Sequence, residues 1–325
     1  MGALPATKAA VLLAEYAERY IAKRTVDGAS EQTLRIYRNW LTHPIVEDGR
    51  THPGGITAHV PDVASLDSLA VQRYFTLLKE RGLKASSRHQ SLRTIRAFVA
   101  WLRKPTVCGP LPHGDPLDDV DVALPKALPP IPKVEDLQKV LDACGDGLSG
   151  LRNKAVVLAL SDSGLRRQEA LNMRIDDYRR GDRNTPPSFL VRLGKGGKDR
   201  IASCGEETSH AIARYLNERE NYGPLDPLFA AESGERLTGR GLAQILHRLC
   251  ERAGLPRDRW MHPHQLRHLC ATLWLRAGVN IESLRLQLGH ADISTTQKYL
   301  HLVPDDVQRE HMRASPLARS GVRVR

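Results

Sequence analysis

The chain has 325 residues, and its 48 Lys and Arg residues outnumber its 37 Asp and Glu residues, so the formal net charge at pH 7 is +11. At about 150 residues per domain this length predicts two domains. The apolar fraction of 41% is enough to build cores, which excludes a wholly disordered chain. No apolar run reaches the roughly 18 residues that a membrane-spanning helix needs, and charged residues close behind the N-terminal apolar patch exclude a secretory signal.

The charge and the cysteines indicate a cytoplasmic protein that binds nucleic acid. A strongly basic chain favours a polyanion, and nucleic acid is the commonest one. The five cysteines are scattered, odd in number and without a CxxC pair, which argues against a disulfide framework and a zinc site. We therefore predict free thiols, no metal, no cofactor and no membrane contact.

Four helices are predicted in residues 1–104. The first covers residues 8–23, the second begins after Ser30 as N-cap, and the third begins at Asp67 and ends at Gly82. The fourth begins near residues 86–87 and carries an apolar stripe at helical spacing.

One flank of the fourth helix carries a basic row. Its members, three, four and seven residues apart, are His89, Arg93, Arg96 and Arg103. Such a row suits a helix laid in a DNA groove, where guanidinium groups reach phosphates and base edges. An ordinary solvated basic face would give the same pattern.

Proline dominates the next segment. Eight prolines fall between residues 104 and 133, a density that no long helix tolerates. We predict a linker over residues 105–133, and a second domain over 134–325 that ends in a basic tail. Within that domain the runs 189–193 and 200–204, joined by a glycine-rich turn, predict a β-hairpin.

Two short motifs place cations where they could meet a phosphate. SGLRRQEAL (163–171) puts Arg166 at the start of a helix, where a guanidinium can bind two phosphate oxygens. An ion pair with Glu169 is the structural alternative. GKGGKDR (194–200) puts Lys195 in a flexible turn, from which it can protonate a leaving group, although most turn lysines are simply solvated.

Two later motifs add histidines and a tyrosine. In HPHQLRHLCATL (262–273), His264 and Arg267 share one helix face. His268 is four residues from His264, yet no third ligand completes a metal site. LGHADISTTQKYLH (288–301) puts His290 after a glycine and Tyr299 among polar neighbours. Packing is the ordinary role of a tyrosine at helical spacing.

Together and in this order, the four motifs resemble the tyrosine recombinase (phage integrase) family, in particular its Xer-like and simple integrase branch. The resemblance is close over residues 130–310. Residues 8–104 resemble the family's helical core-binding domain in length and pattern only. The implied fold is mainly α with a small β-hairpin or sheet: a SAM-like helical core-binding domain followed by the tyrosine recombinase catalytic domain.

The resemblance also implies roles for individual residues. Tyr299 resembles the nucleophile that forms a 3′-phosphotyrosine and frees a 5′-hydroxyl, so that neither ATP nor metal is needed. Arg166 and Arg267 resemble the pair that clamps the non-bridging oxygens. The remaining matches are His290 as a further hydrogen-bond donor, His264 in proton transfer, Lys195 as general acid, and Glu169 as a supporting residue.

Some assignments stay open. Lys198 lies three residues from Lys195 and could replace it, whereas His262 and His268 match no catalytic position. The predicted linker is long for the family, and the additional arm-binding domain of many phage integrases is not expected. Residues 303–312 could form a final helix that docks into a neighbouring subunit.

The predicted activity is site-specific recombination of duplex DNA by a homotetramer, assembled from a dimer at each site, in the cytoplasm at the nucleoid. An accessory directionality factor or a second recombinase could take part. The alternatives are a type IB topoisomerase, which shares the chemistry but acts as a monomer, and a non-catalytic DNA-binding regulator. The target site and the biological role, whether integration, transposition, dimer resolution or cassette exchange, are not encoded in these motifs.

Overall fold

The computed structural model describes residues 12–42, 54–123, 131–192 and 199–300, together with the backbone of residues 46–47 and 50–51. The chain divides into two compact units, Met1–Ala127 and Leu128–Arg325. Both are dominated by helices, as the sequence predicts.

The described part of the first unit is built from four α-helices and one short antiparallel pair of strands. They are α1 (Leu13–Val26), α2 (Glu31–Leu41), β1 (Val46–Glu47), β2 (Arg50–Thr51), α3 (Ser68–Glu80) and α4 (Ala85–Leu102). Two predicted helix starts are confirmed by their caps, because Ser30 Oγ accepts the Thr33 N–H and Asp67 Oδ1 accepts the Ala70 N–H.

The core of the first unit lies between these helices. The inward stripe of α4 is fully buried, with Leu92, Ile95 and Leu102 at 0% exposure. An aromatic group joins α1 to α4, since the ring of Tyr20 lies 5.6 Å from Phe98 and 5.4 Å from Trp101. The apolar spacing that predicts α4 from the sequence is therefore also what attaches it to its neighbours.

The predicted linker over residues 105–133 needs a correction. Residues 105–123 belong to the first unit, because their apolar side chains enter its core: Leu111, Leu117, Val120 and Val122. We call residues 105–123 the strap. Its prolines exclude a long helix, but an irregular chain can still bury apolar side chains between them.

The second unit contains eight further α-helices and a three-stranded sheet in its described part. They are α5 (Val134–Asp142), α6 (Leu148–Ser163), α7 (Arg167–Asn172), β3 (Tyr178–Arg179), β4 (Ser188–Val191), β5 (Arg200–Ser203), α8 (Glu206–Glu218), α9 (Gly239–Arg252), α10 (Pro263–Arg276), α11 (Ile281–Leu288) and α12 (Ser294–Gln297). A mainly helical fold with a small sheet is thus confirmed.

Helix α6 is central to this unit. It is buried on most of its sides and packs against α8 and α10. The predicted hairpin is present as the antiparallel pair β4–β5, with Phe189 opposite Ala202. Strand β3 adds a third, antiparallel member, which the sequence did not predict because a two-residue strand carries no alternation.

The cysteines are as the sequence predicts. All five cysteines are free thiols, and four of them are buried. Within the part of the chain that the structure describes, no helix is long and apolar enough to cross a membrane.

Candidate active site

The end of α6 places the first predicted arginine. Gly164 ends the helix in the left-handed region at φ +65°, where a Cβ would come within 2.6 Å of Leu288. Two residues later Arg166 is the N-cap of α7. Its backbone N–H and its Nη1 both donate to the carboxylate of Glu169, each at 2.7 Å. The ion pair proposed as the structural alternative for Arg166 is therefore present.

Glu169 holds a second arginine as well. Arg200, the first residue of β5, donates from Nη1 to Oε1 at 3.0 Å and from Nη2 to Oε2 at 2.9 Å. Burial by itself would raise the pKa of Glu169, but the hydrogen bonds and charges of Arg200 and Arg166 lower it to about 2. The carboxylate is thus ionised and joins α7 to the sheet.

The Gly289 position ties this network to α11. Arg166 Nη2 donates to the Gly289 carbonyl at 2.8 Å. Gly289 itself has φ +64°, and a Cβ there would lie 2.6 Å from Cδ of Arg200. Both the conformation and the close approach of Arg200 therefore require glycine here.

Arg267 approaches the same place from α10. It is only 3% exposed, donates from Nη1 to the Gly164 carbonyl, and donates from Nη2 to the Leu288 carbonyl at 2.7 Å. Burial and the charge of Arg166 lower its pKa to about 10, which still leaves it cationic at neutral pH. The carbonyl end of α11, the negative end of the helix dipole, thus faces two arginines.

His290 follows Gly289 directly in the chain. The side chain is buried, and its Nδ1 lies 2.8 Å from the hydroxyl of Thr296. Because Thr296 engages Nδ1, Nε2 is left for another partner. Burial and the charges of Arg267, Arg166 and Arg200 lower the pKa of His290 to about 4, so the ring is neutral at pH 7.

Tyr299 is buried despite its polar sequence neighbours. It is 4% exposed and packs with Ala271, Leu284 and Leu288. Burial raises the pKa of its phenol, whereas the positive charges of Arg267 and Arg166 act to lower it. The hydroxyl therefore lies within electrostatic reach of both arginines.

His264 lies on α10, one turn before His268. Partial burial and the charges of Arg267 and Arg166 lower its pKa. Its ring meets His268 edge-on, with centroids 4.2 Å apart, and the His268 ring lies 5.3 Å from that of Tyr299. Among the residues that the structure describes, no group of His, Cys, Asp or Glu could hold a metal ion.

Two predicted features lie outside the described residues. Lys195 and its alternative Lys198 are in the connection between β4 and β5, and the predicted final helix over residues 303–312 follows the last described residue. Their assignments stay predictions.

The site residues described above form one cationic centre. Arg166 and Arg267 present guanidinium groups to the same end of α11, with His290 and Tyr299 on the segment that follows. A guanidinium has five N–H donors, so two intramolecular hydrogen bonds leave donors for phosphate oxygens. A phenol near such cations can act as a nucleophile toward phosphorus.

The comparisons with known proteins agree with this chemistry. Residues 133–305 match the phage integrase family. The chain belongs to this family. The tyrosine recombinase XerD of Caulobacter vibrioides is 30% identical over 318 residues, which cover 94% of this chain and 97% of that protein. The tyrosine recombinase XerC of Oceanobacillus iheyensis is also 30% identical, over 90% of this chain and 92% of its own.

Solved structures show the same fold. The integrase of the Tn1549 transposon, in complex with transposon right end DNA, superposes with a TM-score of 0.70 at 19% identity, over 94% of this chain and 100% of that one. A lambda integrase dimer bound to a core site gives 0.66 at 16% identity, over 89% and 77%. The protein is an enzyme, a tyrosine-type site-specific DNA recombinase.

The predicted DNA-binding row of the recombinase is mostly occupied by the strap. Arg96 Nη2 donates to the Val120 carbonyl at 3.1 Å, and His89 Nδ1 lies 3.4 Å from the Val122 carbonyl oxygen. Arg103 pairs with Asp115 of the strap at 2.6 Å. Arg93, the fourth member, is exposed and has no bond to the strap among the described contacts; Arg96 and Arg103 are exposed as well despite their bonds.

An open groove of about 530 Å³ lies beside Arg166 of the recombinase. Four arginines, with polar residues of α7 between them, line it: Arg166, Arg174, Arg192 and Arg236. Arg192 is paired with Asp177, and Arg236 Nη1 donates to the Asn172 carbonyl at 2.9 Å. The groove therefore extends the cationic region from Arg166 to the protein surface.

Three positions in the recombinase site were not predicted from the sequence. Arg200 stands at the end of the quoted GKGGKDR motif, so a signal for it was present. His268 was noted but matched no catalytic role. Thr296 was hidden in a polar run, because nothing in that run marks which hydroxyl reaches His290.

Proposed function

We propose that this recombinase cleaves duplex DNA through a 3′-phosphotyrosine on Tyr299 and exchanges strands between two sites. The observation that carries the proposal is the convergence of Arg166, Arg267, His290 and Tyr299 around the end of α11. A buried phenol alone could be a packing residue; its place beside Arg166, Arg267 and His290 is what favours a catalytic role over a non-catalytic DNA-binding protein.

The same bond changes occur at each scissile phosphate. The Tyr299 oxygen forms a bond to phosphorus, the bond from phosphorus to the 5′-oxygen breaks, and the phenol proton is lost. Arg166 and Arg267 stabilise the non-bridging oxygens, and His290 donates a further hydrogen bond from Nε2. The departing 5′-oxygen takes a proton, which we assign to Lys195. Attack by a 5′-hydroxyl of the partner strand reverses these steps.

The raised pKa of Tyr299 bears on the proton that must leave. A buried phenol resists ionisation, so the positive charges of Arg267 and Arg166 must favour loss of the proton as the bond to phosphorus forms. We assign His264 to proton transfer around the tyrosine and the scissile phosphate, by way of the oxygens of the bound phosphate, because the family resemblance implies that role.

DNA binding is assigned to both units. Solved relatives are bound to DNA in their crystals, and the net charge of +11 suits such a partner. In the first unit we assign the direct contact to Arg93. His89, Arg96 and Arg103 are proposed to hold the strap on α4, with their remaining donors turned to the phosphates.

We also propose how the protein assembles on DNA and where it acts. A homotetramer on paired sites, with a dimer at each site, accounts for exchange of both strand pairs. It would act in the cytoplasm at the nucleoid, where its substrate lies. Integration, excision or resolution of circular DNA all use this chemistry, with or without a directionality factor or a second recombinase. Relaxation of supercoils by a monomer is the alternative reaction of the same site.

The experiment is a covalent trap. The full-length protein is incubated with a library of nicked duplexes with randomised arms, in which the short 5′-hydroxyl strand diffuses away after cleavage. Detergent-resistant complexes are sequenced. We expect the wild type to capture a defined sequence and Tyr299→Phe to bind that sequence without capture. Capture by the Phe variant would show another nucleophile, and capture without sequence preference would favour the topoisomerase reaction.

A further inference from the structure

His268 lies between His264 and Tyr299, to which we assign roles in the proposed reaction. It follows His264 by four residues on α10, so the two side chains stand one turn apart on the same face. Their rings meet edge-on at 71° with centroids 4.2 Å apart. On its other side, the His268 ring lies against Tyr299 at 5.3 Å and 55°.

Tyr299 stands on a short segment of the chain. It follows α12, a helix of only four residues, and its backbone N–H donates to the Thr296 carbonyl at 2.9 Å. Its ring is buried in a cluster with Ala271, Leu284 and Leu288, against which Trp274 and Leu275 pack. Aliphatic contacts resist rotation of a ring less than a second ring does, because aromatic pairs prefer defined offset and edge geometries.

The ring of His268 is also electrically suited to a packing role. Burial, the neighbouring His264 and the charge of Arg267 lower its pKa to about 4. It is therefore neutral at pH 7 and adds no charge to a site that already holds three arginines.

We propose that His268 is a positioning residue, whose ring fixes Tyr299 relative to His264 and to the two phosphate-binding arginines. It acts by packing and not by carrying a proton, and it does not touch the DNA. This inference rests on the proposed function, since it needs Tyr299 as the nucleophile.

The test separates packing from proton transfer with three variants. His268→Phe keeps a ring and removes both nitrogens, His268→Gln keeps polarity and removes the ring, and His268→Ala removes both. Cleavage is measured in single turnover, at saturating concentrations of the captured nicked duplex, with the pH profile of the rate. DNA affinity and the thermal midpoint are measured for each variant, and His210→Ala, an exposed histidine on α8, is the control.

We expect His268→Ala and His268→Gln to slow cleavage on the order of 10- to 100-fold, because small misplacements of a reacting group have effects of this size. His268→Phe should stay within about threefold of the wild type and keep its pH profile, while DNA affinity stays unchanged in all three.

Three results would overturn the inference. The first is wild-type cleavage in every variant. The second is a Phe variant as slow as the Ala variant with an altered pH profile, which would make His268 a proton carrier. The third is a loss of rate that follows the loss of thermal stability, which would make it an ordinary core residue. Failure of the wild type to capture any DNA would instead refute the proposed function.

Discussion

The carboxylate of Glu169 is the part of the site whose removal gives the best-defined result. It accepts four hydrogen bonds, two from Arg166 and two from Arg200. The Glu169 side chain is 10% exposed and that of Arg200 is 13% exposed, so water screens this pair little. Glu169→Gln keeps the shape of the side chain and removes its charge.

The magnitude follows from the pKa of Glu169. It falls from an ordinary 4.5 to about 2, and at 1.36 kcal/mol for each unit this corresponds to roughly 3 kcal/mol of stability at neutral pH. Because the folded-state pKa is the lower one, this stability is present above pH 4.5 and is lost as the pH falls toward 2. The Gln variant should lack it at every pH.

Calorimetric unfolding of the full-length protein at pH 7 and pH 3 measures the effect. We expect Glu169→Gln to lose about 3 kcal/mol from the second unit at pH 7, and the difference from the wild type to shrink at pH 3. Glu282→Gln is the control, since Glu282 also accepts two hydrogen bonds from an arginine, Arg285, but is half exposed. A loss under about 1 kcal/mol, or one independent of pH, would contradict the reasoning.

Three other results are expected. Gly289→Ala should destabilise the second unit and slow cleavage, because its Cβ would overlap a neighbouring arginine. Gly254→Ala, at a similar φ of +66° but with open space around it, should cost only the backbone strain; equal effects on the thermal midpoint would contradict the overlap. Because the buried ring of His290 has its pKa lowered to about 4, stability should decline as the pH falls from 6.5 to 4, and His290→Gln should reduce this decline in acid titrations followed by circular dichroism. Arg93→Ala should weaken DNA binding and reduce the slope of log K against log salt by about 1. Arg103→Ala should change that slope less, because Arg103 is already paired with Asp115 of the strap. A larger change in slope for Arg103→Ala than for Arg93→Ala would contradict our assignment.

Much of this recombinase could be predicted from its sequence because the signals are local. Caps such as Ser30 and Asp67 mark helix starts through a single side-chain hydrogen bond. The apolar spacing of α4 and the glycine-rich sequence before β5 are equally local signals. The mainly helical class and the catalytic motifs follow from such patterns.

The remainder depends on contacts between distant residues. The strap shows this, since proline density correctly excludes a helix but does not reveal that Leu117 and Val120 are buried in the core of the first unit. The same contacts occupy three members of the basic row, which its helical spacing alone leaves open. Arg200 and Glu169 meet across 31 positions in the chain, and no periodicity indicates such a pair.

The nucleophile itself is the central claim, and one measurement addresses it. DNA trapped on the wild-type recombinase is digested with nuclease and protease, and the peptide that retains a nucleotide is sequenced by mass spectrometry. We predict a single adduct, on Tyr299, joined to the 3′-phosphate of the cleaved strand. An adduct on any other residue, or one joined to a 5′-phosphate, would contradict the account.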